Sequence, residues 1–328
     1  MTVLVTGSAG HLGEALVRRL RAEGREARGL DIKRSPFTDI VGSIADETFV
    51  RDAMSGVTAV IHGATLHKPH VVTHSKRQFV DTNVAGTLAL LEAAVLHGVS
   101  SFVFTSTTSA FGAALSPAPG EPAAWIDEGV VPVPKNIYGT TKIAAEDLCE
   151  LVARKDGLPV LVLRTSRFFP EDDDSAQVRD AFDTANMQAN ELLYRRADIE
   201  DVVGAHVLAV ERAPALRFGR YIVSATTPFS RDDVDALRHD APSVVRRLYP
   251  DVDALYAARD WRLLPSLDRV YDSARATRDL GWTPKRDFAF VLTCLREGVD
   301  FRSDMARAIG KKGYHDAAFG DGPYPVIG

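Results

Sequence analysis

Thr2-Val3-Leu4-Val5-Thr6-Gly7-Ser8-Ala9-Gly10-His11-Leu12-Gly13 governs how the rest of the chain reads. Val3 to Val5 is a short β-rich run that stops at a glycine cluster. Leu12, Ala15, Leu16 and Leu20 then recur at helical spacing. Glycine at Gly7, Gly10 and Gly13 permits a tight turn, close backbone approach to a pyrophosphate and close packing of helix on strand. The helix N-terminus offers free N–H groups and a partial positive charge to phosphate. A glycine triplet alone is weak evidence; the strand before it and the helix after it make it a dinucleotide cradle. Asp31 ends the next strand, Ala27 to Leu30. A carboxylate there accepts ribose hydroxyls and repels a 2′-phosphate, which favours NAD over NADP. Lys33 and Arg34 follow; a solvated turn explains them, although a basic pair could tolerate NADP.

Strand and helix patterns alternate outward from this point. Thr58 to Ile61, Phe102 to Thr105 and Val160 to Leu163 read as strands, the second of these continuing to Gly112 through the hydroxyl-rich stretch Thr105-Ser106-Thr107-Thr108-Ser109. Helical patterns cover about 77–97 and 139–155. Such alternation means parallel βαβ units with both sheet faces covered. After Arg164 the rhythm changes. An acidic run, Glu171 to Asp174, reads as a solvated turn. Tyr221 to Val223 reads as one more strand, and shorter helices are expected at 232–238, 273–280 and 288–298. The expected organisation is a dinucleotide-binding domain at 1–165, a smaller mixed α/β substrate lobe at 166–310 with some segments returning to the first domain, and a Gly/Pro-rich tail at 311–328.

Composition bounds the function. The chain has 328 residues, 45% hydrophobic and 25% charged, with a formal net charge of -5. That is ordinary for a globular enzyme and excludes a basic nucleic-acid binder. No apolar run approaches the roughly 20 residues of a membrane span, and the opening shows no basic leader, so a cytoplasmic protein without signal peptide is expected. Cys149 and Cys294 read as reduced thiols.

Tyr138-Gly139-Thr140-Thr141-Lys142 opens the 139–155 helix. Spacing of four puts tyrosine and lysine on one face. A phenol with an ordinary pKa near 10 needs a neighbouring cation to exchange a proton near neutrality. A hydroxyl at the end of the Ser/Thr strand could hold a substrate oxygen beside it, because ligands sit at the carboxyl edge of such sheets. His67, His70 and His74 have spacings that could suit a metal, but no acid or cysteine completes a set and no metal is expected.

Together these features resemble the extended short-chain dehydrogenase/reductase superfamily, in its NAD-dependent epimerase/dehydratase branch. The resemblance rests on TGxxGxxG at Thr6–Gly13, Asp31, His62-Gly63-Ala64, Asn83-Val84-Ala85-Gly86-Thr87, the Ser/Thr strand and Tyr138…Lys142, all in family order. It implies a Rossmann-type doubly wound sheet. It implies Tyr138 as general acid/base, Lys142 on the nicotinamide ribose and lowering the tyrosine pKa, and Thr107 as the catalytic hydroxyl. It also implies cofactor contacts from Gly7, Gly10, His11, Leu12 and Gly13, from Asp31 and Ile44, from Gly63, Ala64 and Thr65, and from Asn83 and Thr105. Substrate contacts are implied for Thr107, Thr108, Arg167 and Arg262, and a homodimer through the helices at 77–97 and 139–155.

The sequence also departs from the branch. Dehydratases resemble Asp-Glu after the catalytic threonine, where this chain has Thr108 and Ser109, so elimination of water is not expected. Galactose epimerases resemble Arg-Tyr-Phe-Asn where this chain has Arg167-Phe168-Phe169-Pro170. The missing asparagine puts a nucleotide-bearing substrate in doubt, whereas Arg262 and Asp279-Leu280-Gly281-Trp282-Thr283-Pro284 resemble the branch's C-terminal segments. The expected activity is NAD-dependent oxidation or epimerisation at a sugar or nucleotide-sugar hydroxyl. A carbonyl reductase or hydroxysteroid-type dehydrogenase is the alternative, and a dinucleotide sensor without turnover is a third.

Overall fold

A computed structural model describes residues 1–313, so the expected tail falls outside the described residues from 314 onward. The first half runs β1 (Thr2–Thr6), α1 (His11–Ala22), β2 (Glu26–Asp31), β3 (Ile40–Val41), α2 (Glu47–Ala53), β4 (Ala59–His62), α3 (Lys76–Phe79), α4 (Gly86–Leu96), β5 (Ser101–Thr107), β6 (Ala124–Ile126), α5 (Ile137–Lys155) and β7 (Val160–Thr165). The second half runs α6 (Ala176–Ala181), α7 (Thr184–Glu191), α8 (Ile199–Leu216), β8 (Phe218–Val223), α9 (Val234–Leu248), α10 (Val252–Ala257), β9 (Arg269–Tyr271), α11 (Ala274–Leu280), α12 (Phe288–Glu297) and α13 (Asp304–Ile309).

Seven parallel strands form one sheet in the order β3-β2-β1-β4-β5-β7-β8. This is a Rossmann-type sheet. β1 and β7 are buried along their whole length, as strands covered on both faces must be. One face packs Val3, Val5 and Val103 against Leu16 and Leu20 of α1 and Val202 and Val203 of α8. The other packs Leu4, Val60 and Phe102 against Leu90 and Leu91 of α4 and Ala145 and Cys149 of α5. A third core, including Leu192, Leu237, Val270, Phe288 and Leu292, fills the second lobe. Strand order reverses between β1 and β4, and a crevice opens at their carboxyl ends.

Several features differ from the sequence expectation. The 77–97 helix is two helices joined by a π-helical segment, Val80–Ala85; the wider turn puts Asn83 toward the protein interior. The run Lys76–Leu96 also has the length and mean hydropathy of a membrane span, yet half of its apolar window is buried in the protein. β5 stops at Thr107 rather than Gly112, because the Thr107 hydroxyl accepts the Ser109 N–H at 3.1 Å and starts a 3-10 turn. α9 continues to Leu248 with a break at Asp240, just before Pro242, which has no N–H to donate. A two-stranded parallel sheet of β6 and β9, and the edge strand β3, carried no pattern long enough to detect. The second half returns to the sheet more fully than expected: α8, β8 and α11 complete its core.

Gly7 has φ +78°, and a side chain on it would meet Ala64 N at 2.8 Å. A Cβ on Gly13 would lie 2.0 Å from Gly7 O, a rigid backbone atom. Gly13→Ala should therefore lower Tm by several degrees and abolish dinucleotide binding, as read by thermal melting with and without NAD. An unchanged melting curve and an undiminished NAD shift would contradict this close packing.

Candidate active site

A cleft of about 800 Å³ lies at the carboxyl ends of the strands. Gly7, Gly10, His11, Leu12 and Gly13 form one end of its wall, with Asp31 and Ile44 beside them. The turn is tied to β2: Gly7 N–H donates to Leu30 O at 2.8 Å, and Ala9 N–H donates to the Asp31 carboxylate at 3.0 Å. Asp31 also accepts Lys33 N–H at 2.8 Å. The cradle has room for a backbone-close ligand only because three side chains are missing, and the first turn of α1 has amides without intrahelical partners. These residues fit a dinucleotide.

Gly63, Ala64 and Thr65 continue the wall. Their turn is held by a buried relay. The amides of Gly63 and Ala64 both donate to Thr6 Oγ1 at 3.2 Å. Thr6 Oγ1 lies 2.7 Å from His62 Nδ1, and His62 Nε2 lies 3.0 Å from Thr87 Oγ1. Thr87 spends its proton on Asn83 O at 2.7 Å. Thr87 can therefore only accept from His62, which fixes the imidazole as the Nε2–H tautomer with Nδ1 accepting from Thr6. Burial holds His62 down to about 3, so it is neutral.

Asn83 was expected at the cofactor. The structure places it outside the cleft wall, with its amide spent elsewhere. Its Oδ1 accepts Leu66 N–H at 2.8 Å, and its Nδ2 donates to Leu66 O and to Thr141 Oγ1. It links the loop after β4 to the helix that carries Tyr138.

Thr107, Tyr138 and Lys142 meet in the middle of the cleft, with Thr105 and Thr108 beside them. Burial pushes the Tyr138 phenol up to about 12, and the Thr107 side chain acts in the opposite direction. Lys142 is 2% exposed and burial pulls it down to about 7. Its Nζ donates to Thr105 O at 2.6 Å and stands 4.0 Å from the Phe104 ring centroid. The lysine is thus positioned by β5, and in this arrangement burial, not the lysine, sets the tyrosine. Thr105 Oγ1 in turn lies 3.0 Å from His206 Nε2 on α8, while His206 Nδ1 donates to Val202 O at 2.8 Å. Below Lys142 on the same helical face, Glu146 is fully buried. It accepts from Ser106 Oγ, from Arg164 at 2.7 and 3.1 Å, and from Arg220 at 3.2 Å. This carboxylate ties α5 to β5, β7 and β8.

The far end of the cleft is lined by Arg167, Arg195 and Arg269, by Tyr271, and by Phe168 and Phe169, whose rings stand 4.5 Å apart. Arg167 donates to Asp173 at 3.0 Å. Arg195 and Arg196 both pair with buried Glu191, at 2.8 and 2.6 Å, which holds that carboxyl at about 2. Arg262, expected at the substrate, is outside the cleft wall: its guanidinium lies 4.8 Å from the Phe182 ring, and Asn186 and Asn190 hold its backbone. Arg269 and Tyr271 come from the three-residue strand β9 and left no sequence signal. His67 lies 6.2 Å from Tyr138, ring to ring, and burial holds it at about 3. Among the described residues, no group of three or more His, Cys, Asp or Glu could hold a metal.

His62 and His206 are neutral in the fold at about 3 and about 4, against an ordinary 6.5. Their pKa values are depressed on folding, so below 6.5 the unfolded chain takes up protons that the native chain refuses. Stability is complete above that pH and is lost as pH falls toward 4, at up to ~1.4 kcal/mol per pH unit for each histidine. Thermal melts from about pH 7 to about pH 4 should show a steep fall in Tm that His206→Gln flattens. A Tm independent of pH in this window would contradict the neutral relay.

Comparison with known proteins places this geometry. A relative named sterol demethylase protein B, from Methylococcus capsulatus, is 28% identical over 90% of this chain and 99% of its own length. A dTDP-glucose 4,6-dehydratase from Streptomyces antibioticus is 29% identical over 88% of this chain and 89% of its own. A short-chain dehydrogenase/reductase superfamily protein from Agrobacterium tumefaciens, solved with bound NAD, superposes with a TM-score of 0.64 at 23% identity, over 91% of this chain and 98% of that one. Residues 3–222 match the NAD dependent epimerase/dehydratase family. The chain belongs to that NAD-dependent family.

Proposed function

We propose that the protein oxidises or epimerises a hydroxyl-bearing carbon of a sugar or nucleotide sugar, with Tyr138 exchanging the hydroxyl proton. The observation that carries this is the convergence of Thr107, Tyr138 and Lys142 on one cleft that is continuous with the glycine cradle. Gly7, Gly10, Gly13 and the start of α1 would hold the pyrophosphate of NAD, Asp31 its ribose, and Lys142 the ribose next to the nicotinamide. When bound, NAD supplies the hydride acceptor and a positively charged ring. Tyr138 takes the proton from the substrate hydroxyl as its C–H electrons leave, and a carbonyl results. Thr107 accepts the Ser109 N–H, so its own hydrogen remains to stabilise the phenolate or the substrate oxygen. The high phenol pKa of the ligand-free cleft means oxidation should accelerate as pH rises above neutrality.

Thr108 and Ser109 supply neither acid nor base at neutral pH, which favours oxidation or epimerisation over loss of water. Arg167, Arg195 and Arg269 suit a polar or anionic substrate. The Phe168–Phe169 pair favours a second reading, an apolar alcohol such as a sterol, in line with the name of one relative.

Tyr138→Phe should reduce turnover by orders of magnitude while NAD still shifts Tm, measured on a screen of sugars, uronic acids, nucleotide sugars and sterols. Undiminished turnover would remove Tyr138 from the chemistry. We also propose a homodimer in the cytoplasm. α4 is apolar nearly all round, and Val95, Leu96 and, on α5, Leu151 are exposed. Light scattering should give twice the chain mass, and Leu96→Glu with Leu151→Glu should give the monomer. A monomeric wild type would overturn the assignment.

A further inference from the structure

The acidic run after β7 and the chain beyond α13 meet across the mouth of the cleft. Lys312 Nζ donates to Ala9 O at 3.1 Å and pairs with Glu14 in the first turn of α1. Lys312 N–H donates to Glu171 at 3.1 Å, and the Lys311 ammonium holds both oxygens of Asp172 at 2.8 and 2.9 Å. Glu171 itself reaches back to His11 Nε2 at 2.7 Å. Three separate pieces of chain are thereby tied together: the β1–α1 turn, the loop after β7 and the segment 311–313. Lys312 and Gly313 line the cleft on the same side as Gly10 and His11.

We propose that Lys311–Gly313 form a clasp that closes the dinucleotide end of the cleft and retains the cofactor between turnovers. The proposal rests on the cofactor placement given above. Charge supports it. Glu14 and Glu171 are both buried, and a pyrophosphate on the first turn of α1 would meet their repulsion. Lys312 and Arg18 pair with Glu14, so its repulsion is neutralised where the phosphates lie, and the Lys312 N–H bonds the Glu171 carboxylate. The clasp therefore does two things with one residue: Lys312 bars the exit and makes the cradle electrically acceptable. Each tie by itself is a weak partly exposed ion pair, but a ligand beneath them leaves only when all are broken together. A retained cofactor suits a cycle that takes a hydride and returns it within one binding event. It does not suit a dehydrogenase that must exchange NADH at each turnover.

The test follows NADH fluorescence after rapid mixing of the loaded protein with excess NAD. Release should be about tenfold faster from Lys312→Ala, from Glu171→Gln and from a chain ending at Gly310, and wild-type release should quicken with added salt. Lys312→Arg should restore slow release. Circular dichroism melts identify any variant that is simply unfolded, and the Glu171 and Lys312 variants keep the test independent of the truncation. Release within about twofold of wild type from folded variants that all bind NADH overturns the clasp and leaves the cofactor site standing. A wild-type chain that binds no NADH overturns both.

Discussion

The hydrogen-bond relay through His62 is the constraint on which the rest of the site depends. It starts at the Gly63 and Ala64 amides, passes through Thr6, His62 and Thr87, and reaches Asn83. Every hydroxyl in it has one proton and spends it in one direction, so the imidazole has a single tautomer that satisfies both neighbours. The relay joins β1, β4 and the π-helical segment at the strand-order reversal, the place where the crevice must be held open to a dinucleotide. Asn83 then hands the constraint to Thr141 and so to the helix of Tyr138. The cradle and the Tyr138 phenol are thus parts of one hydrogen-bonded frame. The π segment Val80–Ala85 carries Asn83, whose amide holds Leu66 through both its oxygen and its nitrogen.

α5 shows the same economy in charges. Tyr138, Lys142 and Glu146 follow at intervals of four on the face toward β5. Burial acts on Tyr138 and Lys142 and favours the neutral form of each. Glu146 gathers Arg164, Arg220 and Ser106, and that cluster fixes the helix against three strands. Lys142 bonds the Thr105 carbonyl and faces the Phe104 ring, and burial pulls it down to about 7 against the attraction of Glu146. A carboxylate anchored by two arginines, a lysine with a soft proton and a phenol with a hard one thus follow one another along one helix, the lysine and the phenol at the end that lines the cleft.

How much of this was legible in the sequence follows from how local each interaction is. The cradle, Asp31, Thr107, Tyr138 and Lys142 were legible because a strand–turn–helix or a four-residue helical step specifies them within one element. Asn83 was read at the right place in the chain with the wrong partner, because the π turn that redirects it has no sequence signature. Arg262 was read from a distant motif. Its own loop turns it onto Phe182, and Arg195 and Arg269 line the cleft instead. Those two come from the turn after α7 and from a three-residue strand, elements whose position depends on the third core rather than on any local pattern. Lys312 was read as part of a tail, since nothing in the sequence pairs it with residues three hundred positions away.

The substrate end of the cleft follows a different electrostatic rule from the cofactor end. Arg167, Arg195 and Arg196 share Glu191 and Asp173, and Arg269 pairs with Asp268. Nearly every positive charge is already balanced within the protein. A ligand therefore gains little from net attraction, and its anionic group must compete with a carboxylate that is already bonded. What the paired guanidiniums retain is direction: planar donors held in place by their partners, each with N–H groups left over. The Nε atoms of Arg167 and Arg195 are buried without a hydrogen-bond partner. A wall of this kind selects by the geometry of acceptor oxygens rather than by charge. Beside these donors the tilted Phe168 and Phe169 rings, 4.5 Å apart, give the same end of the cleft an apolar face.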